Sequence, residues 1–298
     1  MPSCRYLHLD VFTSIPFEGN QLAVFPTPHG LTTESMQTIA REMNFSECTF
    51  IFPRERAGDV RMRIFTPGEE LPIAGHPTIG SAFALAHEGQ IERGRSEFVF
   101  ELGVGPTPVT MEWDDRGLTF AWMTQPLPAA GPTVEDRAAL AMALGIATRD
   151  FVPSLPAQVV SCGVPFLIVA LTSRQAVDTV QIDRRALVRC VSAAGHAEVP
   201  VFVFTTEGDE TTYSRMLAPG FGIVEDPATG SAGGPLGSYL VQQRVVSGDE
   251  ARAMVNLQGV AMKRPSRIHI SIDSEGDRVT RVRVGGQSVL VGTGELHV

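Results

Sequence analysis

Two short segments of the chain resemble each other, and this internal similarity constrains the fold more than any other feature. Residues 72–76 (PIAGH) and 227–231 (PATGS) share a Pro-x-x-Gly-polar core, 155 residues apart. A helical spacing of apolar residues follows each segment, from Ile79 to Ala86 and from Leu236 to Leu240. Although a match this short also arises by chance, its repeated position before a helix favours two related halves.

The length and the patterning agree with two halves. A chain of 298 residues is about twice the usual domain length of about 150 residues. Most apolar runs are short and bounded by turn residues, and residues 60–64 (VRMRI) alternate as in a half-buried strand. Helical spacing is limited to 36–43, 79–86, 134–144, 183–194 and 232–243. We predict an α+β fold with domains at 1–125 and 132–288, joined by the Pro-rich segment 123–132.

Charge and composition exclude several classes of protein. With 24 Lys and Arg against 33 Asp and Glu, the net charge is −9, so nucleic acid is not expected as a partner. The longest apolar run, 164–171, is too short to span a membrane, and residues 1–10 lack a secretory signal, which predicts a cytoplasmic protein. The four cysteines form no CxxC pair and the histidines have no metal-ligand spacing. We therefore predict no metal site.

The two repeated segments are candidate binding loops. His76 precedes Pro77, which is favoured at the first helical position, and Ser231 is a good N-cap. Gly75 and Gly230 would let a ligand approach the backbone N–H groups at the two helix starts. Such N–H groups bind anions, so a small carboxylated substrate is expected. The alternative is that each loop is an ordinary helix cap and that His76 is structural.

Glu47 is a candidate acid/base because it is the only charged residue of the apolar segment 44–52 (NFSECTFIF). Burial beside apolar side chains would raise its pKa towards neutrality, where a general base works best. From spacing alone, an exposed glutamate at the start of a strand remains the simpler alternative.

Four motifs together resemble one protein family. FEGNQLAVF at 17–25, NFSECTF at 44–50, ELPIAGHPT at 70–78 and EDPATGSA at 225–232 are similar, in the same order, to the PhzF-like phenazine biosynthesis isomerases. The resemblance implies a diaminopimelate epimerase-like fold, in which two similar domains each wrap a mostly antiparallel, barrel-like sheet around a central helix. The active site would lie between the domains. The last strand, 289–298, could then pack on the first domain.

The same resemblance implies roles for individual residues. Glu47 would be the proton shuttle, and His76 and Asp226 would orient the substrate and tune protonation. Gly75, Gly230 and Ser231 would bind its polar groups at the helix starts. The resemblance also implies that the enzyme needs no cofactor. The family's named enzyme isomerises trans-2,3-dihydro-3-hydroxyanthranilate by moving a proton between two carbons. Two departures are Cys48, where threonine is expected, and the continuation Gly233-Gly234-Pro235.

Two other functions stay open from the sequence. An amino-acid epimerase or racemase on the same scaffold would need a second acid/base, for which Asp226 is the candidate. A non-catalytic binding protein would keep the two loops without turnover. Neither loop contains the cysteine that two-thiol racemases use, which disfavours that mechanism. A homodimer is the default expectation for such an enzyme.

Overall fold

A computed structural model describes residues 3–206, 208, 211–276 and 278–297. Its backbone divides into two compact units, Met1–Thr124 with Val284–Val298, and Gln125–Arg283. We call these the first unit and the second unit and describe each by itself. The sequence-based domain boundaries at 1–125 and 132–288 stay a prediction.

The first unit is built from strands and two helices. Its elements are β1 (Ser3–Val11), β2 (Asn20–Phe25), α1 (Thr33–Met43), β3 (Glu47–Pro53), β4 (Val60–Phe65), β5 (Glu70–Leu71), α2 (Gly75–His87), β6 (Glu97–Leu102), β7 (Gly105–Asp114), β8 (Gly117–Gln125) and β18 (Ser288–His297).

Most strand pairs of the first unit are antiparallel. β1 pairs antiparallel with both β18 and β2, β3 with β4, β4 with β5, β6 with β7 and β7 with β8. Two pairs are parallel: β2 with β3, whose connection contains α1, and β4 with β6, whose connection contains α2. A parallel pair needs such a crossover, because its two strands run in the same direction.

α1 is an amphipathic helix with local start and stop signals. The side chain of Thr32 accepts a hydrogen bond from the N–H of Ser35, and Asn44 ends the helix in the left-handed conformation (φ 51°). Met36 and Ile39 are buried on one face, as the sequence predicts. They join a core in which the rings of Phe25 and Phe50 stack with centroids 4.7 Å apart.

α2 is buried on all sides, whereas the sequence predicts a helix that buries one face. It packs against β1, β2, β3, β7 and β18. The helix is rich in small residues, and Gly80 shows why they are needed. A Cβ atom at this position would lie 2.5 Å from the side chain of Leu22 and 2.7 Å from that of Val11. The first unit is therefore a curved sheet packed around a central helix.

The second unit has more helices. Its elements are β9 (Ala129–Thr133), α3 (Arg137–Leu144), β10 (Gln158–Ser161), β11 (Pro165–Ala170), α4 (Arg174–Thr179), α5 (Arg184–Ala193), β12 (Val201–Thr205), β13 (Thr212–Ala218), β14 (Ile223–Asp226), α6 (Gly230–Gln242), β15 (Met254–Gln258), β16 (Ser266–Glu275) and β17 (Arg278–Gly286).

The strand pairing of the second unit repeats that of the first. β11 and β12 are parallel across α4 and α5, and β13 and β15 are parallel across α6. β13 also pairs antiparallel with β14, as β4 does with β5. The buried helix α6 packs against β10, β11 and β16. Both repeated sequence segments, 72–76 and 227–231, thus lead from a short strand into the central helix of their unit.

The predicted helices are all present, with ends that differ by a few residues. The short helix α4 is missed, because six residues are too few for a helical period to show. The segment 123–132, in which we predict the linker, is exposed at residues 126, 127, 129 and 130 but also includes strand residues. It contains the end of β8 and the start of β9, and Ala129 and Ala130 of β9 pair with β10. The sheet thus includes residues whose composition is typical of a loop.

Candidate functional site

The start of α2 places His76 inside the first helical turn. The helix begins at Gly75 after the N-cap Ala74, so the prediction that Pro77 is the first helical residue is wrong by two positions. Proline is nevertheless tolerated as the third helical residue, because no N–H of the first turn has an acceptor within the helix. Ala74 has no side chain that could cap these groups. Gly75 and His76 are both buried.

Glu47 and His76 are in contact within the first unit. Glu47 is the first residue of β3, and its Oε2 atom lies 3.2 Å from Nε2 of His76. The side chains are only 13% and 4% exposed, respectively. Glu47 is therefore not the solvent-exposed glutamate that the simpler sequence interpretation allowed.

Asn20 holds the other side of the His76 ring. Its Nδ2 atom lies 3.3 Å from Nδ1 of His76, and the residue is 1% exposed. Strand pairing explains the arrangement, because Asn20 begins β2 opposite Val11, and Leu22 two residues later pairs with Glu47. Residues at alternate positions share a face of the sheet. Asn20 and Glu47 therefore both face the start of α2.

Burial keeps the His76 ring neutral. Loss of solvent lowers the pKa of His76 to about 3, from an ordinary value of 6.5. A neutral imidazole carries one proton, and the partner of one nitrogen decides where it lies. With the Asn20 amide nitrogen donating to Nδ1, the proton of the neutral ring is on Nε2, the atom that lies 3.2 Å from Oε2 of Glu47. The ring thus contacts Glu47 without carrying a positive charge.

The second unit carries the other predicted site residues around the start of α6. Asp226 ends β14 and is 6% exposed, and Gly230 is the first helical residue. The N-cap is Thr229, so the prediction that Ser231 caps this helix is wrong; Ser231 is the second helical residue and is partly buried. The Thr229 hydroxyl instead lies 2.5 Å from Oδ2 of Asp226. The helix start is therefore tied to the carboxylate that precedes it.

Two glutamines that the sequence did not single out support this loop. Gln125 donates from Nε2 to the carbonyl of Gly230 at 2.9 Å, and its Oε1 would lie 2.1 Å from a Cβ atom at position 234, which is glycine. Gln258 contacts Asp226 and Thr229. Neither glutamine belongs to a recognisable motif, so only the fold reveals them.

The unusual continuation of the serine loop has structural causes. A Cβ atom at Gly234 would lie 2.8 Å from the side chain of Val282, and one at Gly237, in the next turn, would lie 2.5 Å from that of Ile270. Pro235 lies inside α6 and has no N–H for the carbonyl of Ser231, four residues earlier. The glycines therefore let α6 approach the sheet, while the proline removes one helical hydrogen bond next to the candidate site.

Cys48 is a packing residue. It is fully buried, and burial, reinforced by the neighbouring charge of Glu47, raises the pKa of its thiol to about 12.

No group of three or more His, Cys, Asp or Glu side chains in the described part of the chain could hold a metal ion. None of the described helices is long and apolar enough to cross a membrane.

The structure thus brings Glu47 together with His76, next to Gly75, in the first unit. It brings Asp226 together with the helix start at Gly230 and Ser231 in the second. Two similar units, each with a mostly antiparallel sheet around a central helix, define the diaminopimelate epimerase-like fold, as the sequence predicts. This fold is the structural class to which the chain belongs.

Comparison with known proteins supports the same class. A hydroxyproline epimerase from Agrobacterium vitis superposes with a TM-score of 0.66 at 13% identity, over 99% of this chain and 92% of that one, which shows the fold alone. A PhzF-family phenazine biosynthesis protein from Bacillus anthracis superposes with a TM-score of 0.86 at 26% identity, over 100% of both chains.

The sequence comparisons identify the family. The profile of the phenazine biosynthesis-like proteins (PhzC-PhzF) matches residues 9–294. The trans-2,3-dihydro-3-hydroxyanthranilate isomerase of Pseudomonas aeruginosa is 36% identical over 99% of each chain. The chain belongs to the PhzC-PhzF family. It is an isomerase of that family and acts on a small molecule.

Proposed function

We propose that this isomerase moves a proton on a small, cyclic, carboxylated substrate resembling trans-2,3-dihydro-3-hydroxyanthranilate, with Glu47 as the single acid/base. The observation that supports this role best is the 3.2 Å contact between Glu47 Oε2 and His76 Nε2 in a largely buried setting. Three relatives over nearly the whole chain carry the name of that isomerase, at 35–36% identity.

One carboxyl group suffices for the proposed reaction. Glu47, as a carboxylate, removes a proton from one carbon of the substrate and becomes a carboxylic acid. The same group then returns the proton to another carbon on the same face as the double bond shifts, so no cofactor is needed. The neutral His76, whose Nε2 lies 3.2 Å from Oε2 of Glu47, packs against this carboxylate and limits the directions in which it can point.

The remaining predicted residues bind the substrate in this proposal. Backbone N–H groups at the helix starts, at Gly75 and at Gly230 and Ser231, receive the substrate carboxylate and the negative charge that develops during proton removal. Asp226 accepts a hydrogen bond from a polar group of the substrate. The relatives that are named for trans-2,3-dihydro-3-hydroxyanthranilate support the substrate class. The burial of Asp226 supports a contact that is shielded from bulk water.

The experiment is Glu47→Gln, which keeps the shape of the side chain but removes its basicity. With trans-2,3-dihydro-3-hydroxyanthranilate as the test substrate, we expect the turnover rate to fall about 100-fold or more. The control is Glu42→Gln, an exposed glutamate of α1, which should leave the rate unchanged. Undiminished turnover by Glu47→Gln would exclude this residue as the acid/base.

The type of product separates the isomerase from an epimerase. In deuterium oxide, nuclear magnetic resonance should show a shifted double bond and no inverted stereocentre. Inversion of an amino-acid stereocentre would instead favour the epimerase and would require a second acid/base.

We also propose a cytoplasmic homodimer. Its four cysteines are free thiols, which is usual for proteins of a reducing compartment, and closed two-fold dimers are the commonest enzyme oligomers. Light scattering coupled to gel filtration measures the mass directly, and a mass of one chain would contradict the dimer.

A further inference from the structure

Gln258 spans the loop that joins Asp226 to α6. It is the last residue of β15 and is completely buried. Its Nε2 atom donates to the backbone carbonyl of Asp226 at 2.8 Å and to Oγ1 of Thr229 at 2.9 Å. Its Oε1 atom accepts from the backbone N–H of Thr229 at 3.2 Å. One amide therefore contacts both ends of the loop.

The orientation of this amide is determined by its backbone partners. A carbonyl can only accept, so the atom facing the carbonyl of Asp226 must be the amide nitrogen. A backbone N–H can only donate, so the atom facing the N–H of Thr229 must be the amide oxygen. Rotating the amide of Gln258 by 180° would break both bonds.

This orientation sets the direction of a hydrogen-bond chain. Because Oγ1 of Thr229 accepts from Gln258, its own hydrogen is available for Oδ2 of Asp226, 2.5 Å away. Asp226 is thus an acceptor at Oδ2. A proton on that oxygen would compete with the hydrogen of Thr229 for the same short contact.

The backbone that follows Gln258 lies very close to the loop that joins Asp226 to α6. Gly259 has a φ of +77°, which side chains other than glycine rarely adopt. A Cβ atom there would lie 2.5 Å from the carbonyl oxygen of Pro227 and 2.4 Å from that of Arg264. The end of β15 can therefore reach the loop only with glycine at this position.

We propose that Gln258 is a positioning residue that acts through Thr229 to hold Asp226 as a carboxylate acceptor for an N–H or O–H group of the substrate. This inference rests on the proposed function, in which Asp226 binds substrate and Glu47 moves the proton. It assigns Asp226 to recognition of a hydrogen-bond donor, such as an amine or hydroxyl, rather than to proton transfer. The second acid/base that an epimerase requires is then absent from this position.

A double-mutant cycle tests the chain of contacts. Gln258→Met keeps the length of the side chain but removes its three hydrogen bonds, and Thr229→Val removes only the hydroxyl. With trans-2,3-dihydro-3-hydroxyanthranilate as the probe, we expect each variant to lower kcat about 10- to 100-fold. Because both residues act through one chain of contacts, we expect the loss of kcat in the double variant to be no larger than the loss in the more damaging single variant.

Thr212→Val is the matched control for stability. It removes a buried hydrogen bond to Oδ1 of Asn256, 2.9 Å long and on the same strand as Gln258, without touching the loop. We expect it to lower the Tm as Gln258→Met does, while kcat stays within about twofold because its contact lies outside the chain. Equal loss of kcat in this control would overturn the positioning role.

Other results of the cycle are equally decisive. Unchanged kcat in Thr229→Val, or losses in the two single variants that multiply in the double variant, would overturn the proposal even where Gln258→Met fails to fold. Glu47→Gln, measured in parallel, reports on the proposed function separately. If that variant is inactive while Thr229→Val is fully active, only the inference about Gln258 fails.

Discussion

The burial of His76 makes the stability of the protein depend on pH in a way that can be calculated. The pKa of this side chain is lowered from 6.5 to about 3 on folding. Between these values the unfolded chain binds one proton that the folded chain does not. Stability from this group is therefore complete above pH 6.5 and is lost as the pH falls towards 3. Each pH unit well below 6.5 costs about 1.4 kcal/mol.

The comparison of wild type with His76→Gln isolates this contribution. Glutamine has no proton to gain, while the other six histidines are present in both proteins. Lowering the pH from 7.0 to 5.5 should reduce the unfolding free energy of the wild type by about 1.2 kcal/mol more than that of the variant. Urea unfolding at both pH values, followed by circular dichroism, measures the two differences. Parallel changes in wild type and variant would refute the argument that the folded His76 stays neutral.

Two further predictions concern the packing of buried residues. Native protein treated with iodoacetamide should be alkylated at the partly exposed Cys190 before the buried Cys48, and peptide mass spectrometry would contradict the burial if Cys48 reacted first. Gly80→Ala should lower the unfolding free energy by about 1–3 kcal/mol, because the added Cβ atom meets Leu22 at 2.5 Å. Gly68→Ala, which meets only one atom at 3.8 Å, is the control in urea unfolding, and equal stability of the two variants would show that α2 has more room than the structure gives it.

Glycine and proline made much of the architecture predictable. The repeated segments at 72–76 and 227–231 locate the two central helices, because these residues favour helix starts wherever they occur. The exact first residue was less predictable. Proline fits any position of the first turn, and serine is common both at the N-cap and just after it. His76 and Ser231 therefore lie inside their helices rather than before them.

The partners of the site residues could not be predicted from the sequence. Asn20 lies 56 positions from His76, and Gln258 lies 29 positions from Thr229. Neither spacing has a helical or strand period, since both contacts depend on how parallel strands are brought together by crossovers. Glu47 is intermediate: its apolar neighbours are visible in the sequence, but its contact with His76 depends on the pairing of β2 with β3.

The pairing of β18 with β1 determines the order in which the protein can be completed during synthesis. β1 leaves the ribosome before the second unit, but its neighbour β18 follows the whole second unit in the chain. The second unit can therefore fold while the first still exposes one edge of β1. Until residues 288–297 emerge, this edge is open to incorrect strand pairing. Truncation within 288–297 would thus damage the unit that begins the chain.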